Sequence, residues 1–291
     1  MLYLLDWSGY MFRAYYALPQ LTNKEWNNQN AIYGFLRMLI SLLKDKPTHF
    51  AIARDHPSKT LREKKFEQYK ATRPTIPDDF KRQISIIKQL PSQIGIKTFE
   101  IPGYEADDII YTLVQKFKSQ LPITIISGDK DLKQLLEKGI EFYDPMKKQK
   151  ETAQDFEQKW GFKPANIVDY LALVGDSSDN IPGVEGIGAK WAQKLIEQFG
   201  SLENIYQNLD NLSPSIKQKL KDGKDNAFLS KSLIVLQNVD QLQDINLNDL
   251  KLDIDFNKFK HTALELGFPS LISQIDKLKQ ILNTPSQNSL F

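Results

Sequence analysis

The sequence predicts an α/β fold in which helices flank a mainly parallel central sheet, followed by a helical second half. Short apolar runs at Leu2–Leu5, Phe50–Ala53 and Ile123–Ile126 have the length and composition of buried strands. Helical patterns at Ala31–Leu43 and Phe80–Leu90 lie between them. Strands that alternate with helices usually pair in parallel, because each helix carries the chain back across the sheet.

Strand patterns stop at about residue 160, and helical patterns dominate the rest of the chain. The clearest are Asn166–Val174, Ala189–Gln198, Ser215–Leu220 and the amphipathic Leu271–Leu282. We therefore expect an α/β domain at 1–160, a helical region at 161–270, and a last helix with a flexible tail at 271–291.

The composition excludes several kinds of site. The 291 residues contain no cysteine and only three histidines, at His49, His56 and His261. Disulfides, thiol catalysis and cysteine-ligated metals are excluded, and scattered histidines disfavour a histidine metal site. No apolar run approaches the length of a membrane span and no leader pattern is present, so we expect a cytoplasmic protein without a membrane partner. The formal net charge of +2 hides separate acidic and basic clusters, so a polyanionic partner remains compatible.

An aspartate closely follows each of the three apolar runs, at Asp6, Asp55 and Asp129. In open α/β sheets, ligands bind beyond the carboxyl ends of the strands. These three side chains should therefore converge at one edge of the sheet.

A second acidic group, Glu105-Ala106-Asp107-Asp108, begins the helical pattern Ile109–Phe117. Acids are favoured at a helix N-terminus, so this cluster could serve only to start the helix. Three acids in four residues exceed that need, however, and we favour a metal-binding role.

Two further acidic clusters have structural alternatives of their own. Asp129 and Asp131 precede the helical pattern Leu132–Leu136, and one of them could be its N-cap. Asp176 and Asp179 lie in a polar stretch that, considered alone, reads better as a turn.

Taken together, the acidic clusters predict a divalent-metal site. The nine candidate ligands are Asp6, Asp55, Glu105, Asp107, Asp108, Asp129, Asp131, Asp176 and Asp179. Oxygen ligands without histidine or cysteine select Mg²⁺ or Mn²⁺. So many carboxylates in one cleft repel each other unless cations neutralise them. Two such ions roughly 4 Å apart can promote phosphodiester hydrolysis, which predicts a metal-dependent nuclease.

The motifs resemble the 5′-nuclease family, which includes flap endonucleases, phage 5′-exonucleases and the N-terminal domain of bacterial DNA polymerase I. The similarity covers roughly residues 1–270 in uninterrupted order. The matching stretches are Leu5-Asp6, Phe12–Ala17, Lys59–Arg62, Tyr69–Pro74, Glu105–Asp108, Gly128–Asp131 and Gly175–Val184. The likeness is closest to the polymerase I nuclease domain, and since no polymerase domain follows, we expect a stand-alone enzyme.

The resemblance implies a PIN-like fold and a structure-specific 5′-3′ exonuclease and 5′-flap endonuclease. Such enzymes remove flaps and RNA primers in replication and repair, and we expect a monomer with two Mg²⁺ or Mn²⁺ ions. The family pattern assigns the candidate ligands from Asp6 to Asp108 mostly to one ion, and those from Asp129 to Asp179 mostly to the other. Trp7 and Arg54 depart from the family, which has a small residue at the first position and an apolar or aromatic residue at the second.

A basic stretch at about 56–82 is either a solvated loop or a substrate-binding element. In the family this region forms a helical arch that admits the 5′ single strand. The resemblance assigns catalytic roles to Lys70, Arg73 and Arg62, with Lys70 and Arg73 at the scissile phosphate, and DNA contacts to Lys59 and Arg13.

The segment Gly183–Lys190 lacks the spacing of a Walker A loop and is similar to the hairpin of a helix-hairpin-helix. An ordinary turn between helices is the alternative. The hairpin predicts DNA-phosphate contacts through Gly183, Gly186, Gly188 and Lys190, and in the family it often holds a K⁺ ion. Contacts of this kind do not recognise the base sequence, so we expect binding to depend on the structure of the DNA and on the salt concentration.

The C-terminal residues Gln287-Asn288-Ser289-Leu290-Phe291 resemble the short peptide that docks bacterial replication proteins on the β sliding clamp. Asn288 departs from the usual leucine, and pentapeptides also occur by chance. The resemblance makes Gln287, Leu290 and Phe291 the candidate clamp contacts.

Two other functions stay open at this point. A degenerate relative would bind branched DNA without cutting it, although the complete acid set argues against that. A ribonuclease with a similar acidic site would need neither the basic stretch nor the glycine-rich hairpin.

Overall fold

The computed structural model describes residues 1–22 and 27–284, apart from the side chain of Arg13. The three candidate clamp residues, Gln287, Leu290 and Phe291, lie outside the described residues. Arg13 itself lies within a helix near the N-terminus.

A six-stranded sheet organises the N-terminal half. Its strands are β1 (Leu2–Asp6), β2 (His49–Arg54), β3 (Lys97–Glu100), β4 (Ile123–Ile126), β5 (Ile140–Asp144) and β6 (Gln149–Glu151). Their order is β3-β2-β1-β4-β5-β6. All neighbours pair in parallel except β5 and β6, so the mainly parallel sheet expected from the sequence is confirmed. The three predicted strands are β1, β2 and β4, which are adjacent at its centre.

Helices cover both faces of the sheet. They are α1 (Trp7–Ala17), α2 (Asn30–Leu43), α3 (Leu61–Lys65), α4 (Asp78–Ile87), α5 (Leu90–Gln93), α6 (Ala106–Phe117) and α7 (Ala153–Trp160). Successive strand residues point to opposite faces. Leu2 and Leu4 accordingly join the core that contains α6, whereas Tyr3 and Leu5 join the core that contains α2.

The second half is helical, as expected. Its helices are α8 (Ile167–Val174), α9 (Ala189–Phe199), α10 (Leu202–Gln207), α11 (Pro214–Asp222), α12 (Lys224–Ile234), α13 (Phe256–Glu265) and α14 (Ile272–Asn283). The helix predicted over Leu132–Leu136 is a 3₁₀ helix over Asp131–Leu135. Within the described residues, no helix combines the length and apolar character that a membrane crossing requires.

The last two helices return to the first domain. Phe259 on α13 and Ile275 on α14 belong to the same core as Tyr3 and Leu5, on the face of the sheet opposite to the helical half. The packing therefore changes before α13 and not at residue 270, where the sequence pattern placed the end of the helical region.

The basic stretch at 56–82 forms little of the helical arch expected from the resemblance. It contains the five-residue α3 and the start of α4, with turns and irregular backbone between them. Pro74 and Pro77 remove backbone donors there, and Lys70 adopts a positive φ of 57°, which no helix allows. The segment instead folds down onto the acidic residues.

Candidate active site

The acids at the strand ends meet in one cavity. Its volume is about 560 Å³, and it opens where β1, β2 and β4 end. The acidic residues in its lining are Asp6, Asp55, Glu105, Asp107 and Asp129. Lys70 and Arg73 line the same cavity. Five of the nine candidate metal ligands and two of the three candidate catalytic cations thus share one space.

Two serines, which the sequence did not single out, orient Asp6 and Asp55. One oxygen of Asp6 accepts from the backbone N–H of Ser8 at 3.0 Å, and the other accepts from the Ser127 hydroxyl at 2.7 Å. The Ser8 hydroxyl also donates to Asp55 at 2.8 Å. The remaining oxygen of Asp55 accepts from the backbone N–H of Ala106 at 2.8 Å. These bonds join the ends of β1, β2 and β4 to the start of α6.

Asp108 and Arg62 form a buried ion pair outside the cavity. The Arg62 guanidinium donates to both oxygens of Asp108, at 2.6 and 2.8 Å, and to Glu105 at 3.2 Å. Its other donors contact the carbonyls of Leu233 at 2.6 Å and Val235 at 3.0 Å. Every guanidinium N–H is therefore used within the protein. The catalytic role that the resemblance assigned to Arg62 stays a prediction, and in the structure its guanidinium holds both oxygens of Asp108.

Lys70 and Arg73 point into the cavity and pair with acids. Lys70 Nζ lies 2.6 Å from Glu105 Oε1, and Arg73 lies 2.6 Å from Asp179 Oδ1. The backbone N–H of Lys70 donates to the carbonyl of Asp179 at 2.9 Å. A positive φ at a residue other than glycine is uncommon and carries strain, and here it aims the ammonium at the acids.

The remaining acids lie beside the cavity. Asp129 accepts from the backbone N–H of Asp131 at 2.9 Å, which ties these two residues together. Asp176 pairs with Lys130 at 2.7 Å. Asp131 Oδ1 is buried without a hydrogen-bond partner in the part of the chain that the structure describes. A buried, unsatisfied carboxylate oxygen is costly, and it is an available ligand atom.

Two glycines close the loop that carries Asp176 and Asp179. Gly175 and Gly183 have φ values of 77° and 64°, and a Cβ on Gly183 would lie 2.5 Å from the backbone nitrogen of Gly175. The N–H of Gly183 donates to the Ser230 hydroxyl at 3.0 Å. That N–H is thus occupied within the protein, and the DNA contact expected of Gly183 stays a prediction.

The other candidate DNA contacts lie on the surface. Gly186, Gly188 and Lys190 are exposed, and Gly188 is the N-cap of α9. Lys59 lines a separate groove beside Pro102 and Gly103.

Trp7 and Arg54, the two residues that depart from the family pattern, contact each other beside the cavity. The Arg54 guanidinium lies over the Trp7 ring at 5.2 Å and pairs with Glu100 at 3.0 Å. Trp7 is buried and lines the cavity wall. Arg54, which departs from the family pattern, therefore forms a local salt bridge.

The cavity holds more negative charge than its cations offset. Burial, together with the charges of Asp55 and Asp129, raises the pKa of Asp6 to about 7, although the hydrogen bond from Ser127 opposes the shift. Burial also raises the pKa values of Asp107, Asp129 and Asp131, and neighbouring carboxylates add to each shift. Extra positive charge would therefore stabilise the ionised site.

The donor set fits a hard divalent cation, although the side chains are not yet arranged around one. Among the described residues, no group of three or more His, Cys, Asp or Glu side chains could hold a metal ion as they stand. Lys70 and Arg73 take up oxygens of Glu105 and Asp179. The all-oxygen donors, the raised pKa values and the unpartnered Asp131 oxygen nevertheless match what Mg²⁺ or Mn²⁺ requires.

Family models match most of the chain. Residues 1–161 match the model described as 5′-3′ exonuclease, N-terminal resolvase-like domain. Residues 162–257 match the model described as 5′-3′ exonuclease, C-terminal SAM fold.

Curated relatives agree with these models. The chain is 41% identical to a 5′-3′ exonuclease of Aquifex aeolicus, over 100% of this chain and 99% of that protein. It is 40% identical to DNA polymerase I of Caldicellulosiruptor bescii, over 94% of this chain and 33% of that protein. The chain thus spans about a third of the length of this polymerase.

Solved structures show the same fold at low identity. The bacteriophage T5 D15 flap endonuclease, in a complex with DNA and metal ions, matches with a TM-score of 0.69 and 20% identity, covering 97% of this chain and 99% of that one. The catalytic core of Rad2 with a DNA substrate matches with a TM-score of 0.59 and 18% identity, covering 97% and 92%.

Proposed function

The chain belongs to the 5′-3′ exonuclease family, as its motifs predicted, and on that basis we propose that it hydrolyses DNA as a structure-specific 5′-3′ exonuclease and 5′-flap endonuclease. The observation that carries this proposal is the cavity that gathers Asp6, Asp55, Glu105, Asp107 and Asp129 beside Lys70 and Arg73. The substrates would be 5′ flaps and RNA-primed DNA met during replication and repair. We propose a monomer that acts in the cytoplasm.

We propose two Mg²⁺ or Mn²⁺ ions as cofactors. The cavity acids would hold one, and Asp129, Asp131, Asp176 and Asp179 would mostly hold the other. When bound, such ions supply water activation and stabilisation of the leaving oxygen. Ser8 and Ser127 hold Asp6 and Asp55 in fixed orientations, which lowers the cost of organising the ligands.

Lys70 and Arg73 would exchange partners when substrate arrives. Both cations now pair with carboxylates that the metal ions would need, Glu105 and Asp179. If Glu105 and Asp179 served as metal ligands, Lys70 and Arg73 would be free to contact the oxygens of the scissile phosphate. There they would offset the charge that develops during hydrolysis.

The hairpin and the tail would bind further partners. Gly186, Gly188 and Lys190 are exposed at the start of α9, where backbone N–H groups attract phosphates. We propose that they contact duplex DNA and that the hairpin would hold a K⁺ ion. The sequence of Gln287–Phe291 supports a second proposal, docking on the β sliding clamp.

A cleavage assay tests the proposal against its rivals. A 5′-flap duplex and a matched single-stranded RNA, both end-labelled, are incubated with the protein in EDTA, Mg²⁺ or Mn²⁺. We expect metal-dependent cleavage of the flap and little cleavage of the RNA. Flap binding without cleavage in either metal would identify a non-catalytic binding protein, and cleavage of the RNA alone would identify a ribonuclease. Asp129→Asn serves as the inactive control.

A further inference from the structure

The first turns of α9 expose a tryptophan between two lysines. The Trp191 side chain is 45% exposed, and Lys194 Nζ lies 5.5 Å from its ring centroid. Lys190 precedes it and is exposed too. In the part of the chain that the structure describes, neither lysine has an acidic partner, and the indole N–H donates to no acceptor. The two ammonium groups are thus left without an anion, and the indole N–H is left without an acceptor.

The face of α9 opposite to Trp191 packs against the rest of the helical half. Ala192, Leu195 and Ile196 are buried on that face and hold the helix in position. Trp191 contributes little to that packing. A single exposed apolar residue is ordinary, but tryptophan is the costliest to expose and the most enriched at binding hot spots.

Trp191 also belongs to a surface groove with a net positive lining. The groove has a volume of about 360 Å³ and is lined by Lys190, Trp191, Gln193, Lys194 and Glu197. The Gln193 amide donates to Glu197 at 2.9 Å and to the carbonyl of Trp160 at 3.1 Å. One acid therefore faces two lysines, and the acid already has a hydrogen-bond donor. The charge of the groove is complementary to a polyanion.

We propose that Trp191 contacts DNA, packing against the sugar–phosphate backbone of a duplex while Lys190 and Lys194 neutralise neighbouring phosphates. The inference rests on the proposed function and names a contact that extends the hairpin surface along α9. Because Lys194 covers the ring, a base is less able to stack there than a deoxyribose is to pack beside it. The free indole N–H suits a phosphate oxygen.

The proposal has a definite consequence for kinetics. Trp191 lies outside the cavity that holds the acids, so its loss should weaken DNA binding and appear in KM rather than in kcat. For Trp191→Ala we expect a Kd for duplex DNA about 5- to 20-fold higher, at the lower end of the cost of losing a base-stacking aromatic, because the ring packs against the backbone and not on a base. Trp191→Phe keeps a ring but loses the N–H, so it should retain part of the affinity.

The test compares the full chain with three variants: Trp191→Ala, Trp191→Phe and Leu264→Ala. Leu264 is 54% exposed on α13, far along the chain from the groove, and is a matched control for loss of an exposed apolar side chain. Binding to a labelled 20-bp duplex and to a 20-nt single strand is measured in EDTA. Fluorescence of tryptophan is followed in the same titrations.

We expect weaker duplex binding for Trp191→Ala, partial rescue by Trp191→Phe, and wild-type binding for Leu264→Ala. DNA should change the fluorescence of the wild type more than that of Trp191→Phe, which keeps Trp7 in the cavity wall. Wild-type duplex affinity in Trp191→Ala would overturn the inference, and a loss confined to the single strand would replace it by base stacking. Because these titrations need no cleavage, they stand apart from the flap assay, whose failure would refute the nuclease proposal instead.

Discussion

The Lys70 ammonium lies 2.6 Å from the Glu105 carboxylate, and Lys70 reaches it from a strained backbone with a φ of 57°. The charge of Glu105, together with those of Asp55 and Asp179, holds the pKa of Lys70 well above its ordinary value even though burial opposes it. If Glu105 serves as the proposed metal ligand, Lys70 occupies an oxygen that the ion would need. Metal binding would then be coupled to the position of Lys70.

Removing Lys70 should separate metal affinity from catalysis. In Lys70→Ala the acids lose a compensating charge, so Mg²⁺ should bind more tightly while the single-turnover rate on a 5′ flap falls about 100-fold or more. Metal titrations of the rate and of the melting temperature measure the two effects. The exposed Lys64→Ala is the control and should change neither. Weaker metal binding in Lys70→Ala would contradict the coupling.

Divalent ions should stabilise the fold even without DNA. Binding to the native state alone adds about 2.7 kcal/mol at a concentration 100 times the Kd, which a thermal melt in Mg²⁺ or Mn²⁺ against EDTA detects. Asp107→Asn should raise the melting temperature in EDTA, because it removes a repelling carboxylate. The same variant should show a smaller rise in melting temperature when metal is added. Asp225→Asn, at an exposed position on α12, should show the same metal-induced rise in melting temperature as the wild type. An unchanged wild-type melt in both metals would speak against a metal site.

Substitution of Arg62 should lower the free energy of unfolding. Arg62→Ala leaves Asp108 buried without its cation and two carbonyls without donors, at a cost of about 3–5 kcal/mol. Arg62→Lys should recover little, because an ammonium cannot make the bidentate contact. Urea unfolding measures both variants. Wild-type stability combined with lost activity would instead support the catalytic role that the family pattern assigned to Arg62.

Gly183→Ala should disrupt the loop that carries Asp176 and Asp179. The new methyl group would lie 2.5 Å from the backbone nitrogen of Gly175, in addition to the strain of a positive φ. Gly200→Ala is the matched control, since Gly200 has a φ of 79° and no atom within 4 Å of an added Cβ. Gly200→Ala should lower the free energy of unfolding by about 1–2 kcal/mol. Gly183→Ala should lower it clearly more and should also abolish cleavage of the 5′ flap. Equal unfolding free energies would rule out the close contact as the reason for glycine.

Local patterns in the sequence predicted the centre of the fold and several of the site residues. The apolar runs that became β1, β2 and β4 are buried on both faces, so the pattern is continuous and easy to recognise. β3 and β5 have partly exposed residues and lie nearer the edges, so no continuous apolar run marks them in the sequence. The same patterns do not show the return of α13 and α14 to the first domain, because an amphipathic helix does not specify which surface it covers.

By itself the sequence determined the α/β class, the family and the presence of many carboxylates near the ends of strands. Only the tertiary structure decided which carboxylates meet. Asp107 and Asp108 are neighbours in one motif, yet successive helical residues point about 100° apart. Asp107 consequently lines the cavity, whereas Asp108 turns inward to Arg62. The motif in the sequence identifies both aspartates, and only their contacts in the folded chain distinguish the role of each.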